Sequence, residues 1–138
     1  MKVLLDTCTF LWIITDNKAL SSVSRDFFSD PSHEIFLSAI SVWEMLVKFS
    51  LGKIQLPTPV DQFIPQQRER HGIGSLSLEE ASTGHLPKLP LHHRDPFDRM
   101  LICQAIQHEL TILTPDPLIT QYAIRTVWKG FPHKIDSC

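Results

Sequence analysis

Residues 91–105 read LHHRDPFDRMLICQA and contain a strong helix-start signal. Asp95 followed by Pro96 predicts a helix start, because the aspartate can accept an unpaired amide proton and the fixed φ of proline suits the first helical position. The apolar residues that follow cover more than one stripe, so the helix is largely buried. Capping and the helix dipole alone could account for Asp95 and Asp98. Whether these two aspartates have a function depends on which other residues the fold places near them.

Length and composition indicate one globular domain. The 138 residues are 43% hydrophobic, which is enough to bury a core. The net charge of −2 excludes a broadly basic nucleic-acid binder, so a polyanionic partner must be held by a local basic patch or by metal ions. We predict that residues 1–130 form the single domain and that residues 131–138 form a short C-terminal tail.

The sequence predicts a soluble cytoplasmic protein. No apolar run approaches the ~20 residues that span a bilayer, and Asp6 follows the first apolar residues too early for a signal-peptide core. The three cysteines, Cys8, Cys103 and Cys138, are odd in number and lack ligand spacing. Free thiols in a reducing compartment fit this pattern.

Strands and helices alternate along the chain. Strands are predicted at 2–5, 34–37, 75–77, 111–114 and about 126–128. Helices are predicted at 9–14, from 21 or 22 to 30, at 39–51 ending at Gly52, at 60–71 with Pro65 kinking or splitting it, at 77–85 with a Ser77–Glu80 capping box, from 96 onward, and at 117–122. This alternation predicts a three-layer α/β/α domain with a mainly parallel central sheet.

Isolated acidic residues are predicted to meet at one edge of this sheet. Asp6 and Asp116 each follow a predicted strand, and the carboxyl ends of parallel strands face a common crevice. Asp98 can join them from the first turn of its helix. Glu44 is the fourth candidate, because it shares a helix face with apolar residues. A surface ion pair with Lys48, four residues further on, would explain Glu44 equally simply.

Such a cluster predicts a divalent cation. Several carboxylates within ~4–6 Å cannot all stay ionised, so one takes up a proton or a cation binds. Mg²⁺ or Mn²⁺ suits ligands that are all oxygen, and such an ion lowers the pKa of a water and offsets charge on a scissile phosphate. Zinc is not favoured, because the adjacent His92 and His93 lack ligand spacing and the other histidines are scattered.

Four motifs together resemble the PIN-domain family, and more narrowly the toxin nucleases of VapBC toxin–antitoxin modules. They are Asp6-Thr7 after an apolar strand, Ser38-x-x-Ser41-x-Trp43-Glu44-x-x-x-Lys48 with Gly52-Lys53 beyond it, His93-Arg94-Asp95-Pro96-Phe97-Asp98-Arg99, and Thr114-x-Asp116. The resemblance runs from Met1 to about Trp128. Two departures are Cys8, where many relatives have histidine, and Cys103, where alanine is usual.

The resemblance implies a metal-dependent endoribonuclease that acts as the toxin of a type II toxin–antitoxin module. It implies that a divalent metal, Mg²⁺ or Mn²⁺, is bound by four acids: Asp6, Glu44, Asp98 and Asp116. Asp95 matches an additional acid of the subgroup and is interpreted, like Thr114, as a support for these ligands. The resemblance also implies an RNA substrate, a cognate VapB-type antitoxin and a homodimer.

Basic and aromatic residues near the acids have two interpretations. Lys48, Arg94 and Arg99 could hold an RNA backbone. The two arginines could equally pair with neighbouring aspartates. Tryptophans can stack bases, but among aliphatic residues at helical or strand spacing they are more typical of a core. We interpret all three as core: Trp12, Trp43 and Trp128.

Two other function classes stay open. A receiver-type signalling domain also gathers aspartates around Mg²⁺. Such a domain typically has an acidic pair after its first strand and a lysine after a late strand. This chain has a lone Asp6 there and no lysine beside Thr114. The second alternative is a catalytically inactive binding module with the same fold, against which the intact acids argue.

Overall fold

A five-stranded parallel sheet forms the middle layer of the computed structural model, which describes residues 1–128. The strands are β1 Lys2–Leu5, β2 Glu34–Ser38, β3 Gly74–Leu76, β4 Thr111–Leu113 and β5 Thr126–Val127, in the order β3-β2-β1-β4-β5. Val3 of β1 pairs with Ile35 on one side and Thr111 on the other. Strand β1 is therefore central, and its Val3, Leu4 and Leu5 are fully buried.

Helices cover both faces of the sheet. They are α1 Thr7–Ile14, α2 Ser22–Ser29, α3 Ala39–Ser50, α4 Val60–Arg70, α5 Glu80–Thr83, a 3₁₀ turn Leu86–Lys88, and α6 Pro96–His108. Neighbouring residues of a strand point to opposite faces, and β1 follows this rule. Val3 and Leu5 pack in a core with Phe10 of α1, whereas Leu4 packs with Leu101 of α6. The predicted three-layer α/β/α fold is confirmed.

Three helix starts follow directly from their local sequence. The Asp6 carboxylate accepts the Thr9 amide proton at 2.8 Å and begins α1. The Ser38 hydroxyl accepts the Ile40 amide proton at 3.0 Å and begins α3. Asp95 begins α6 as predicted. Since Asp6 and Ser38 also end or follow strands, these caps fix the sheet edge at which the acids meet.

Helix α4 is a single helix that contains Pro65, so the alternative of two helices is wrong. The predicted capping box is also wrong, because α5 begins at Glu80 with Glu79 as its N-cap and no side-chain capping bond. The Ser77 carbonyl instead accepts a hydrogen bond from Gln104 of α6 at 3.2 Å. Ser77 is thereby held to a neighbouring helix rather than at the start of its own.

The helix predicted at 117–122 is absent, and these residues form hydrogen-bonded turns. The Asp116 carboxylate still accepts the Leu118 amide proton at 2.9 Å, as a capping residue would. The chain then leaves the helical path, which buries Tyr122 and returns Thr126 to pair with Ile112.

Two expectations about side chains need correction. Trp43 is 58% exposed, so its interpretation as core is wrong. Cys103 is a buried free thiol as expected, whereas Cys8 is disulfide-bonded. The predicted tail at 131–138 lies outside the described residues. Within the described part of the chain, no helix is both long and apolar enough to cross a membrane.

Candidate active site

Asp98 and Asp116 meet at the C-terminal edge of the sheet. Asp116 follows β4, and Asp98 lies in the first turn of α6. The Nε2 atom of His93 stands between them, 3.0 Å from Oδ2 of Asp98 and 3.2 Å from Oδ2 of Asp116. Potential ligand atoms of these three residues all lie within 4.8 Å of one another. The predicted convergence of Asp98 and Asp116 is therefore present in the structure.

Asp6 is buried beside them, directly after the neighbouring strand β1. Its carboxylate accepts hydrogen bonds from the Thr9 amide and from the Thr114 hydroxyl. Burial raises the pKa of Asp6, and the charge of Asp116 raises it further, although the two hydrogen bonds act in the opposite direction. The same Thr114 hydroxyl accepts the Asp116 amide proton at 3.0 Å. Thr114 therefore connects two of the predicted ligands through one hydroxyl group.

Glu44 is both buried and ion-paired. It is 4% exposed, and its Oε2 atom lies 2.6 Å from Nζ of Lys48. The Thr7 hydroxyl donates to Oε1 at 2.7 Å. The ion pair expected from the spacing is present, but it lies on a buried face rather than on the surface. The ion pair with Lys48 is therefore confirmed, its surface location is wrong, and the role of Glu44 as a metal ligand stays a prediction.

The pKa of Asp98 is raised by burial and in part by the charges of the other acids. Burial, as the largest cause, and the negative charges of Asp95, Asp6, Glu44 and Asp116, in that order after it, together raise the pKa of Asp98 to about 9. Without a cation nearby, Asp98 therefore carries a proton at neutral pH. This proton neutralises negative charge that a bound metal ion would otherwise offset.

The residues present fit a hard divalent cation. The four predicted ligands offer carboxylate oxygens, which Mg²⁺ and Mn²⁺ prefer. All four are buried or half-buried, and the charges of the other three raise the pKa of Asp98. Asp95 has a different role, since its Oδ1 atom accepts the Phe97 and Asp98 amide protons at 2.8 Å and 3.2 Å. It is the cap of α6, as predicted.

The three basic residues predicted to contact RNA lie in different surroundings. Lys48 is paired with Glu44. Arg99 donates to the carbonyls of Pro90 and His93 at 3.1 Å and 3.3 Å, so it holds the loop before α6. Arg94 is exposed and lines an apolar groove together with Trp43. Their contact with RNA stays a prediction.

His93 stands in one of the family motifs, but the sequence pattern gave no role to its side chain, which lies among the acids. The spacing of His92 and His93 argued against a zinc site. Once zinc was excluded, the pattern indicated no other role for His93. A usable signal was present in its position two residues before the capping Asp95. The first turn of this helix carries the proposed ligand Asp98, so a residue just before the cap is held near Asp98.

The metal-free protein is expected to lose stability as the pH rises from about 4 to about 9, the range between the unfolded and folded pKa values of Asp98. Folded Asp98 keeps its proton up to about pH 9, whereas in the unfolded chain it is ionised above its ordinary value of 3.8. The folded state then binds more protons, so the free energy of unfolding falls with rising pH. Urea unfolding in EDTA at several pH values measures this. The Asp98→Asn variant should show a flatter dependence, and equal slopes would contradict the assignment.

Buried carboxylates at the C-terminal edge of a parallel α/β sheet define the class: an α/β domain with a candidate metal-dependent active site. A family model described as PIN domain matches residues 3–124. The chain belongs to the PIN domain family, and the resemblance seen in its motifs is confirmed.

Comparison with individual proteins agrees with this assignment. Ribonuclease VapC16 of Mycobacterium tuberculosis (strain ATCC 25618 / H37Rv) is 36% identical over 62 residues, which are 45% of this chain and 44% of that protein. The match thus spans less than half of either protein.

Two solved structures share the fold. The structure of VapBC2 from Rickettsia felis bound to a DNA fragment from their promoter has a TM-score of 0.69 at 13% identity, covering 94% of this chain and 100% of that chain. The structure of DNA-bound VapBC from Salmonella typhimurium has a TM-score of 0.68 at 18% identity, covering 92% and 97%. At these identities the likeness concerns the fold alone.

Proposed function

We propose that this chain is a metal-dependent endoribonuclease that acts as the toxin of a type II toxin–antitoxin module. One observation carries the proposal: buried carboxylates of a PIN domain surround Asp98, which cannot ionise at neutral pH unless a cation offsets its neighbours. The partial match to a protein named as a ribonuclease supports the same activity.

The proposed cation is Mg²⁺ or Mn²⁺, and the residues that would hold it are Asp6, Glu44, Asp98 and Asp116. When bound, such an ion activates water as the nucleophile and offsets the charge that builds on the phosphate. The protein's own groups hold the ligands in place. The Thr114 hydroxyl orients Asp6, and the α6 cap fixes the turn that carries Asp98.

On the other side of the site, Thr7 and Lys48 hold Glu44. Lys48 also offsets the negative charge of Glu44, which limits the repulsion among the acids that folding must overcome. The proposed contacts for the RNA backbone are Arg94, which is exposed, and Lys48 and Arg99, which are hydrogen-bonded within the protein. Their positive charges would attract a polyanion that the chain as a whole, at −2, does not.

The proposed partners are an RNA substrate, a cognate VapB-type antitoxin and a second copy of the chain, and the proposed compartment is the cytoplasm. The solved structures that share the fold are described as VapBC complexes, which supports an antitoxin partner. Exposed apolar side chains at one groove, Trp43 at 58% and Leu91 at 69%, support a protein partner in general.

A second candidate is a catalytically inactive binding module. The observation that favours it is the close ion pair between Lys48 and Glu44, which already satisfies one proposed ligand. The intact set of acids favours the nuclease. Metal dependence distinguishes the two.

Purified protein is expected to cleave RNA with Mg²⁺ or Mn²⁺ and to stop in EDTA, because the four carboxylates need a cation to act on a phosphate. Cleavage of an end-labelled RNA, followed on a gel, measures this, and excess metal should restore it. The Asp98→Asn protein, purified in parallel, controls for contaminating nucleases. Undiminished cleavage in EDTA would contradict the mechanism, and the absence of cleavage under all conditions would favour the binding module.

A further inference from the structure

His93 occupies the space between two proposed metal ligands. Its side chain is 10% exposed, and its Nε2 atom lies 3.0 Å from Asp98 and 3.2 Å from Asp116. Two roles are compatible with these distances. The ring could bind the metal through Nε2 with the two carboxylates, or Nε2 could carry a hydrogen and donate it to them.

The other ring nitrogen decides between these roles. The Asp95 amide N–H donates to Nδ1 of His93 at 3.2 Å. An N–H group directed at Nδ1 requires a lone pair there and not a hydrogen, so the hydrogen of the neutral ring is on Nε2. A histidine that binds metal through Nε2 needs the opposite arrangement, with its hydrogen on Nδ1 and an acceptor facing it.

We propose that His93 is a positioning residue that donates from Nε2 to Asp98 and Asp116, and that it is not a metal ligand. This inference rests on the proposed metal-dependent function. When a bound cation keeps Asp98 ionised, a single N–H between the two Oδ2 atoms offsets part of the repulsion between the two carboxylates. The Oδ1 atom of Asp116 is held separately by the Leu118 amide at 2.9 Å.

The surrounding backbone makes this ring orientation a fixed one. The Asp95 amide cannot turn away, because Asp95 is the N-cap of α6 and its side chain is bonded to the Phe97 amide. The His93 backbone N–H donates to the Tyr122 hydroxyl at 2.9 Å, and Arg99 donates to the same hydroxyl at 3.2 Å. Arg99 and Tyr122 thus hold the loop from which the ring projects.

The tautomer of His93 can be measured directly. Nitrogen-15 NMR of histidine-labelled protein distinguishes a protonated ring nitrogen from an unprotonated one, and loss of one signal set in His93→Gln assigns the residue. We expect Nε2 protonated and Nδ1 unprotonated, both without metal and with saturating Mg²⁺. An unprotonated Nε2 in the Mg²⁺ form would overturn the proposal.

Metal affinity tests the positioning role with a readout other than activity. The Kd for Mn²⁺, followed by the EPR signal of the free ion, is expected to rise by about 10- to 100-fold in His93→Ala, the range seen when groups that orient metal ligands are removed. His93→Gln should stay within a few-fold of the wild type, because the glutamine amide nitrogen can donate from nearly the position of Nε2. Equal losses in both variants, or pulsed-EPR coupling of Mn²⁺ to a directly bound nitrogen, would overturn the proposal.

Different results would contradict the proposed metal-dependent function and the proposed role of His93. If the wild type binds no Mn²⁺ or Mg²⁺ at all, the proposed metal-dependent function is wrong, while the NMR experiment still decides the tautomer. If metal binds and cleavage is normal but the tautomer is reversed, only the role of His93 is wrong. Circular dichroism of each variant confirms that the affinities belong to folded protein.

Discussion

Asp98→Asn is expected to abolish RNA cleavage while raising the melting temperature of the metal-free protein. Cleavage should fall by about 100-fold or more, because a bound cation contributes several kcal/mol to the transition state and each ~1.4 kcal/mol is tenfold in rate. Stability should rise at pH 8, since wild-type Asp98 must take up a proton in order to fold and asparagine need not. The melting temperature should rise by about 2–4 °C per kcal/mol of penalty removed.

Asp95→Asn is the matched control for this experiment. Asparagine caps a helix about as well as aspartate, so the bonds to the Phe97 and Asp98 amides should persist. A smaller loss of cleavage is expected. Scanning fluorimetry in EDTA and an end-labelled RNA assay compare the two variants. Equal loss of cleavage would make Asp95 a metal ligand, and an unfolded Asp98→Asn protein would assign Asp98 a structural role.

Glu44→Gln is expected to abolish cleavage as well, but with the opposite effect on stability. Glutamine keeps the shape and one oxygen of Glu44 while removing the charge that a cation needs. It also leaves the Lys48 ammonium, whose side chain is only 20% exposed, without its carboxylate at 2.6 Å. Removing one partner of a fully buried pair costs about 3–5 kcal/mol, so a loss of about 2 kcal/mol is expected for this partly exposed one. Urea unfolding measures it.

A double variant separates the two roles of Glu44. Combining Glu44→Gln with Lys48→Met removes both charges, so most of the lost stability should return. Cleavage should not return, because the ligand charge is still missing. If the double variant cleaves RNA as the wild type does, Glu44 acts only as the partner of Lys48.

Growth of cells tests the same variant in its proposed setting. Expression of the wild type without its antitoxin is expected to arrest growth, and Glu44→Gln at matched protein levels is not. Equal toxicity would show that Glu44 is dispensable and that the four-acid assignment is wrong. No toxicity from either, together with no metal-dependent cleavage in vitro, would favour the inactive binding module.

Local sequence was enough to predict where the acids lie along the fold. Asp6, Ser38 and Asp95 each accept an amide proton from two or three residues further on, so these helix starts depend only on neighbours in the chain. The strands before Asp6 and Asp116 are short apolar runs, and the parallel sheet places their ends together. The family motifs occupy these same positions.

Contacts between distant residues could not be predicted in this way. Whether Glu44 and Lys48 face solvent depends on what packs against α3, and their spacing is the same in either case. The ring of His93 lies beside Asp116, 23 residues away, because Arg99 and the Tyr122 hydroxyl hold its loop. Neither periodicity nor spacing records such a contact.

Two identical local signals in this chain lead to different structures. Asp95-Pro96 and Asp116-Pro117 are the same cap and proline, and in both the aspartate accepts an amide proton from two residues further on. The first begins a helix of 13 residues that buries Leu101, Ile102 and Ala105 against the sheet. After the second, Leu118 is 41% exposed and the chain must return within ten residues to pair Thr126 with Ile112. A cap can start a helical turn, but burial of an apolar face against the rest of the fold supplies most of the free energy that continues it.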